Sequence, residues 1–129
     1  MSGAPRSPFT YAILRAVPRL ERGECINVGV VLFCRAHDFL GARILLDGAR
    51  LAAIAPDVAP ETLEPALEAV TRVAAGDPTA GPVAALPAGE RFGWLVSPSS
   101  TVIQPSVIHT GLCSDPESTL EALFDEVVR

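Results

Sequence analysis

Lysine is missing altogether: all ten basic residues are arginine, set against 15 acidic ones in a chain of 129 residues. This excludes lysine Schiff-base and general-base chemistry outright. In a chain with 12 prolines, 10 glycines and abundant alanine, arginine in place of lysine fits the codon bias of a GC-rich genome, so arginine abundance alone marks no function. The formal net charge of −5 argues against nucleic acid as the main partner, because affinity for a phosphate backbone comes from clustered cations. Histidine is scarce, with only His37 and His109. The cysteines, Cys25, Cys34 and Cys113, are odd in number and form no close C-x-x-C pair. No disulfide scaffold, zinc site or other cofactor is therefore expected, and the thiols are expected to be buried and reduced. No apolar run reaches the ~20 residues of a membrane helix. The start "MSGAPRSPFTYAIL" lacks the basic n-region and continuous apolar core of a signal peptide. The expectation is a soluble, cytoplasmic protein without a membrane partner.

What is present reads as one globular domain over residues 1–129, with 49% apolar and 19% charged residues. Residues 1–8 read as a flexible N-terminus. Strands are expected over 9–18 ("FTYAILRAVP"), 25–34 ("CINVGVVLFC", apolar on both faces and hence central) and 39–46 ("FLGARILL"), joined as antiparallel hairpins by short connections. Beyond Asp47 the period changes. "GARLAAIA" is a short helical candidate, and Leu63, Leu67, Val70 and Ala74 recur at helical spacing up to Gly76, with Pro65 tolerable near the helix start. Residues 76–90 are rich in Gly, Pro and Ala and read as a loop. "FGWLV" and "TVIQP" suggest short strands, and Ser114 with Glu117 makes a capping pair before the stripe Leu120, Leu123, Phe124, Val127. The expected class is α+β: an antiparallel sheet of about 4–5 strands with two main helices packed on one face, in two layers.

The stretch "PRLERGECINVGVVLF" concentrates charge in a turn, Arg19, Glu21, Arg22 and Glu24, before an apolar strand. A symmetric pairing about that turn puts Arg15 opposite Asn27 and Ile13 opposite Gly29. One sheet face then carries Ala12, Leu14, Val30 and Leu32. The other carries Tyr11, Ile13, Arg15, Asn27, Val31, Phe33 and Arg43. This second face is aromatic and interrupted by polar groups, an interface-like composition. Tyr11 and Phe33 are accordingly candidate interface residues, with Arg19, Glu21 and Arg22 as a polar rim. A charged turn that merely keeps an edge solvated explains the same residues.

Two units, "YAILRAVPRLERGECINVGVVLFC" and "FGWLVSPSSTVIQPSVIHTG", are similar to the bacterial family called domain of unknown function 3037. The resemblance runs from about Tyr11 into the last helix. It implies no activity and no catalytic residues. It does imply a protein partner, since a HipA-like kinase is often encoded beside members of the family.

Candidate chemistry gathers in Ser99, Ser100, Thr101, Gln104, His109 and Thr110. A serine nucleophile needs a base in reach and an orienting acid, and no G-x-S-x-G elbow surrounds any serine here. The glycines follow no Walker pattern. No catalytic residue is assigned. If a small anion is recognised, Arg15, Asn27, Arg91, Gln104 and His109 are the residue types suited to hold it. Two functions follow: a non-catalytic interaction or regulatory module with a protein partner or a second copy, or a small-molecule or nucleotide-binding enzyme using Arg15, Asn27, Gln104 and His109. The first expects an exposed apolar surface. The second expects a cleft where His109 meets Arg15 or Arg91.

Overall fold

A computed structural model describes residues 5–98 and 101–129. Three long strands form first: β1 (Ser7–Ala16), β2 (Ile26–Cys34) and β3 (Phe39–Ile44). Three helices follow, α1 (Gly48–Ile54), α2 (Glu64–Ala75) and α3 (Ala88–Leu95). Two short strands, β4 (Ile103–Pro105) and β5 (His109–Cys113), lead into the last helix, α4 (Pro116–Val127). The fold is α+β with a five-stranded antiparallel sheet, as the sequence indicates. Its order is β3-β2-β1-β4, with β5 also paired to β1, so β1 rather than β2 is the centre. Ser7 and Pro8 belong to β1 and so extend the strand into the expected flexible N-terminus.

The β1–β2 register begins as the symmetric pairing requires, with Ala16 opposite Ile26 and Arg15 opposite Asn27. It then slips by one residue: Leu14 faces Gly29 and Ile13 faces Val30, leaving Val28 as the extra residue of a β-bulge. Val28 is fully buried, and its carbonyl accepts from the Leu45 amide at 2.8 Å. Gly29 is glycine for lack of room: a Cβ there would lie 2.6 Å from Ile44 Cδ1 and 2.8 Å from the Arg43 carbonyl. Past the bulge every residue of β2 swaps faces relative to the symmetric reading.

Two cores result. Ala12, Leu14, Ala16, Val28 and Val31 pack with Leu51 of α1, Leu67 and Val73 of α2, and Phe92 and Leu95 of α3. On the opposite face, Phe9, Val30, Leu32 and Cys34 pack with Cys113, with Leu120 and Phe124 of the last helix and with Val128 just after it. The two main helices, α2 and α4, therefore lie on opposite faces and not together on one. Two apolar faces require two covers: β2 is apolar on both sides, and the bulge decides which of its residues meets which helix. Arg43, on the α4 side, forms ion pairs with Glu117 and Glu121 of that helix.

Local chemistry explains the remaining boundaries. Pro65 sits in the first turn of α2 and Gly76 ends that helix with φ 72°. "FGWLV" is helical and not a strand, because Phe92, Leu95 and Val96 recur at helical spacing and all three are buried. The loop 76–87 contains two 3-10 turns, Pro78–Ala80 and Pro82–Ala85. The cap of α4 is Asp115 and not Ser114, since Pro116 takes the first helical position. Its carboxylate accepts from the Ser118 hydroxyl and from the Glu117 amide at 3.2 Å. Cys34 and Cys113 are buried, and burial, with Cys34 beside it, pushes the Cys113 thiol up. Cys25, just beyond the turn, is exposed instead. Among the described residues no helix is long and apolar enough to cross a membrane.

Leu120 is 0% exposed whereas Leu123 is half-buried. Leu120→Ala is expected to cost about 2–5 kcal/mol and Leu123→Ala measurably less, read by chemical denaturation. The Ser118 hydrogen bond holds the Asp115 carboxyl below the usual range. Its stabilising effect is therefore complete above the unfolded-state value, about 3.9, and is lost as pH falls through the lower folded-state value. Asp115→Ala should lower the melting temperature at neutral pH, by a margin that shrinks on acidification.

Candidate functional site

The α4 helix lies over β2 and β3, so the same face of β1, β4 and β5 is left partly uncovered. Tyr11, Ile13 and Arg15 of β1 point to this face in succession and all are half-exposed. Tyr11 pairs with His109 across β1–β5, and the two rings stack with centroids 5.1 Å apart and an interplanar angle of 27°. Arg15 has Asn27 as its partner on one side and Gln104 on the other. Three polar side chains thus form a row across β2, β1 and β4, and an aromatic pair lies about 13 Å away along β1.

Within the row, Asn27 Nδ2 donates to the Val127 carbonyl at 3.0 Å and so caps the end of α4. Arg50 donates to the neighbouring Val128 carbonyl. Gln104 Nε2 donates to the Thr101 carbonyl at 2.9 Å. Arg15 forms no ion pair or hydrogen bond among the described residues. Beside the strip, Ser106 joins β4 to β5. Its amide donates to the Ile13 carbonyl at 2.7 Å, and its hydroxyl accepts from the Ile13 amide at 2.9 Å. Two residues, Val107 and Ile108, then stand opposite Ala12 alone, and this bulge pushes them out to 76% and 50% exposure.

Four of the five ligand candidates, Arg15, Asn27, Gln104 and His109, therefore share one face. Arg91 does not join them. It lies on α3 across the sheet, where its guanidinium donates to the carbonyls of Leu86, Val73 and Ala74 at 2.9, 3.1 and 2.7 Å. There it holds the end of α2 against α3. Tyr11 and Phe33 are separated by the bulge: Tyr11 faces α4, while Phe33 faces α3 and stacks on Phe92 at 5.7 Å. Arg19 pairs with Asp57 and Glu21, and Arg22 with Glu24, so the charged turn neutralises itself and is tied to the segment after α1. The Arg19 hydrogen bond holds the Asp57 carboxyl below its usual range.

Ser99 and Ser100 lie outside the described residues. Thr101 hydrogen-bonds the Ile103 carbonyl, and Thr110 faces Thr10 on the α3 side. His109 is exposed and meets a tyrosine ring, about 13 Å from Arg15 along the strand. Val107 and Ile108 were missed in the sequence because nothing there announces a bulge within an apolar run.

The model of the family described as Protein of unknown function (DUF3037) matches residues 11–128. No curated protein and no solved structure matches the chain.

If Arg91 is the clasp between α2 and α3, Arg91→Met should destabilise the fold by about 1.5–3 kcal/mol, the range for hydrogen bonds to a charged group. Arg15→Met, which breaks no contact of this kind, should change stability by less than about 0.5 kcal/mol. Urea denaturation of both variants checks the contrast.

Proposed function

The chain belongs to this family of unknown function over nearly its whole length; membership brings no reaction with it, and we propose from the geometry that the domain is a non-catalytic interaction module of the bacterial cytoplasm. The uncovered strip carries this reading. An aromatic pair (Tyr11, His109), an aliphatic centre (Ile13) and a guanidinium that is unpaired among the described residues and flanked by carboxamides (Arg15, Asn27, Gln104) lie on one sheet face. The exposed Val107 and Ile108 lie beside it. Aromatic and arginine anchors on an apolar bed are the groups that dominate protein interfaces. The partner is a protein that presents a carboxylate to Arg15 and an apolar group to Tyr11. A HipA-like kinase, which the family resemblance associates with the domain, is the first to be tried.

A second reading rests on Arg15 alone. Its guanidinium, unpaired among the described residues and set between two carboxamides, suits the oxyanion of a small ligand.

The reading is tested by titrating the purified kinase onto the domain. Binding is expected, weakened at least tenfold by Arg15→Glu and by Tyr11→Ala and little changed by Arg22→Glu in the self-paired turn. Binding that ignores the first two substitutions, or no binding at all, would reject the strip as the kinase-docking surface.

A further inference from the structure

On one side the sheet ends at β5, an edge that no other strand joins among the described residues. Both the amide and the carbonyl of Ile13 bond to Ser106, so the odd-numbered residues of β1 turn their backbone groups toward β4 and β5. The bonded pairs with β5 are then Phe9 with Gly111 and Tyr11 with His109. Pro8, which has no amide hydrogen, stands opposite Leu112 in a pair that needs none. It follows that Thr110 and Leu112 direct both their amides and both their carbonyls outward, away from the sheet. No other strand pairs with β5 among the described residues.

Edge strands are normally protected by charge, proline or coverage. The segment 106–113, "SVIHTGLC", contains no acidic residue, arginine, lysine or proline. Leu112 is 54% exposed. On its side of the sheet, Pro8, Thr10 and Thr110 border an open hollow of about 430 Å³ with Phe33 and Phe92. The opposite edge is guarded by contrast: β3 carries Arg43, tied to two glutamates of α4.

We propose that a second copy of this chain pairs with β5, antiparallel, about a two-fold axis at Gly111. The outward groups lie one residue to either side of that glycine. Two copies therefore satisfy each other completely: Thr110 bonds to Leu112 of the other copy, and Leu112 to its Thr110. The strands approach closest at Gly111, where two Cα atoms sit about 4.5 Å apart. No side chain obstructs this, and none could be there: a Cβ at Gly111 would lie 2.7 Å from the Phe9 ring. Each Leu112 comes to rest beside the other copy's Thr110, at the mouth of the Phe33–Phe92 hollow. The two-fold axis sets this edge against its own sequence, so the same uncharged, proline-free residues serve as both strands and no guarding side chain stands on either. The dimer is independent of what binds the Tyr11–Gln104 strip, and it would present two such strips on the same side of one continuous sheet.

Sedimentation velocity over a dilution series, with amide hydrogen exchange, tests this. The expected result is a reversible dimer in which the Thr110 and Leu112 amides exchange slowly at high concentration and quickly at low. Leu112→Pro removes one outward amide without touching a bond to β1, and Leu112→Arg places a charge on the edge. Both should be monomeric. If either fails to fold, the exchange of the unaltered protein still decides. A chain that stays monomeric at high concentration overturns the proposal, as does a dimer whose Thr110 and Leu112 amides exchange quickly.

Discussion

One extra residue in β2 determines how this domain is built. With Val28 bulged, the stretch from Gly29 to Cys34 turns over, so that Val31 and Phe33 join Ala12 and Leu14 on one face while Val30 and Leu32 join Phe9 and Tyr11 on the other. Both faces carry large apolar side chains whichever way the strand turns, and both must be shielded from water; the bulge sets which side chains each cover meets. The helices divide accordingly. A β2 without the bulge would put its bulky residues elsewhere, and α4 would lose Val30 and Leu32 beneath Leu120 and Phe124.

Coverage of the α4 face is unequal. A single helix of 12 residues lies over β2 and β3, and its C-terminal carbonyls are held by Asn27 and Arg50. Those two contacts fix where the helix ends and hence where the bare strip of β1 begins. Asn27 thus serves the fold while standing beside Arg15 in the site. The arginines divide in a similar way: most are spent on ion pairs or carbonyls within the chain, as Arg19, Arg43 and Arg91 are.

Much of this was legible from the chain. Alternating and branched residues marked the three long strands, Gly76 marked the end of α2, and the stripe ending in Val127 marked α4. Arg15 opposite Asn27 was correct because it lies on the turn side of the bulge. Residues beyond it were assigned to the wrong faces, since a bulge among Val, Gly and Val changes no composition and no spacing. "FGWLV" was misread because its aromatics suit a strand, and the helical recurrence shows only when Leu95 and Val96 are set against Phe92. That Arg15, Asn27, Gln104 and His109 are the right residue types for a site could be guessed, yet the row of the first three and the place of His109 on the same face depend on β4 and β5 pairing with β1 across roughly the whole chain. Arg91 belonged to the same residue type and was claimed by the end of α2, a local demand that no pattern announces.

The central place of β1 also bears on how the chain acquires its fold. β1 precedes the other strands of the sheet, yet it is flanked on one side by β2 and on the other by residues 103–113, and the Ile13–Ser106 bond spans 93 positions. During synthesis β1 and β2 can form their hairpin early, but the other flank of β1 waits until residues 103–113 have emerged. Closing so long a loop is entropically slow. For that interval the backbone groups of Phe9, Tyr11 and Ile13 form a second open edge, in the middle of what will become the sheet. A nascent chain is therefore most exposed to pairing with the wrong strand through the strand that ends at the centre of its sheet.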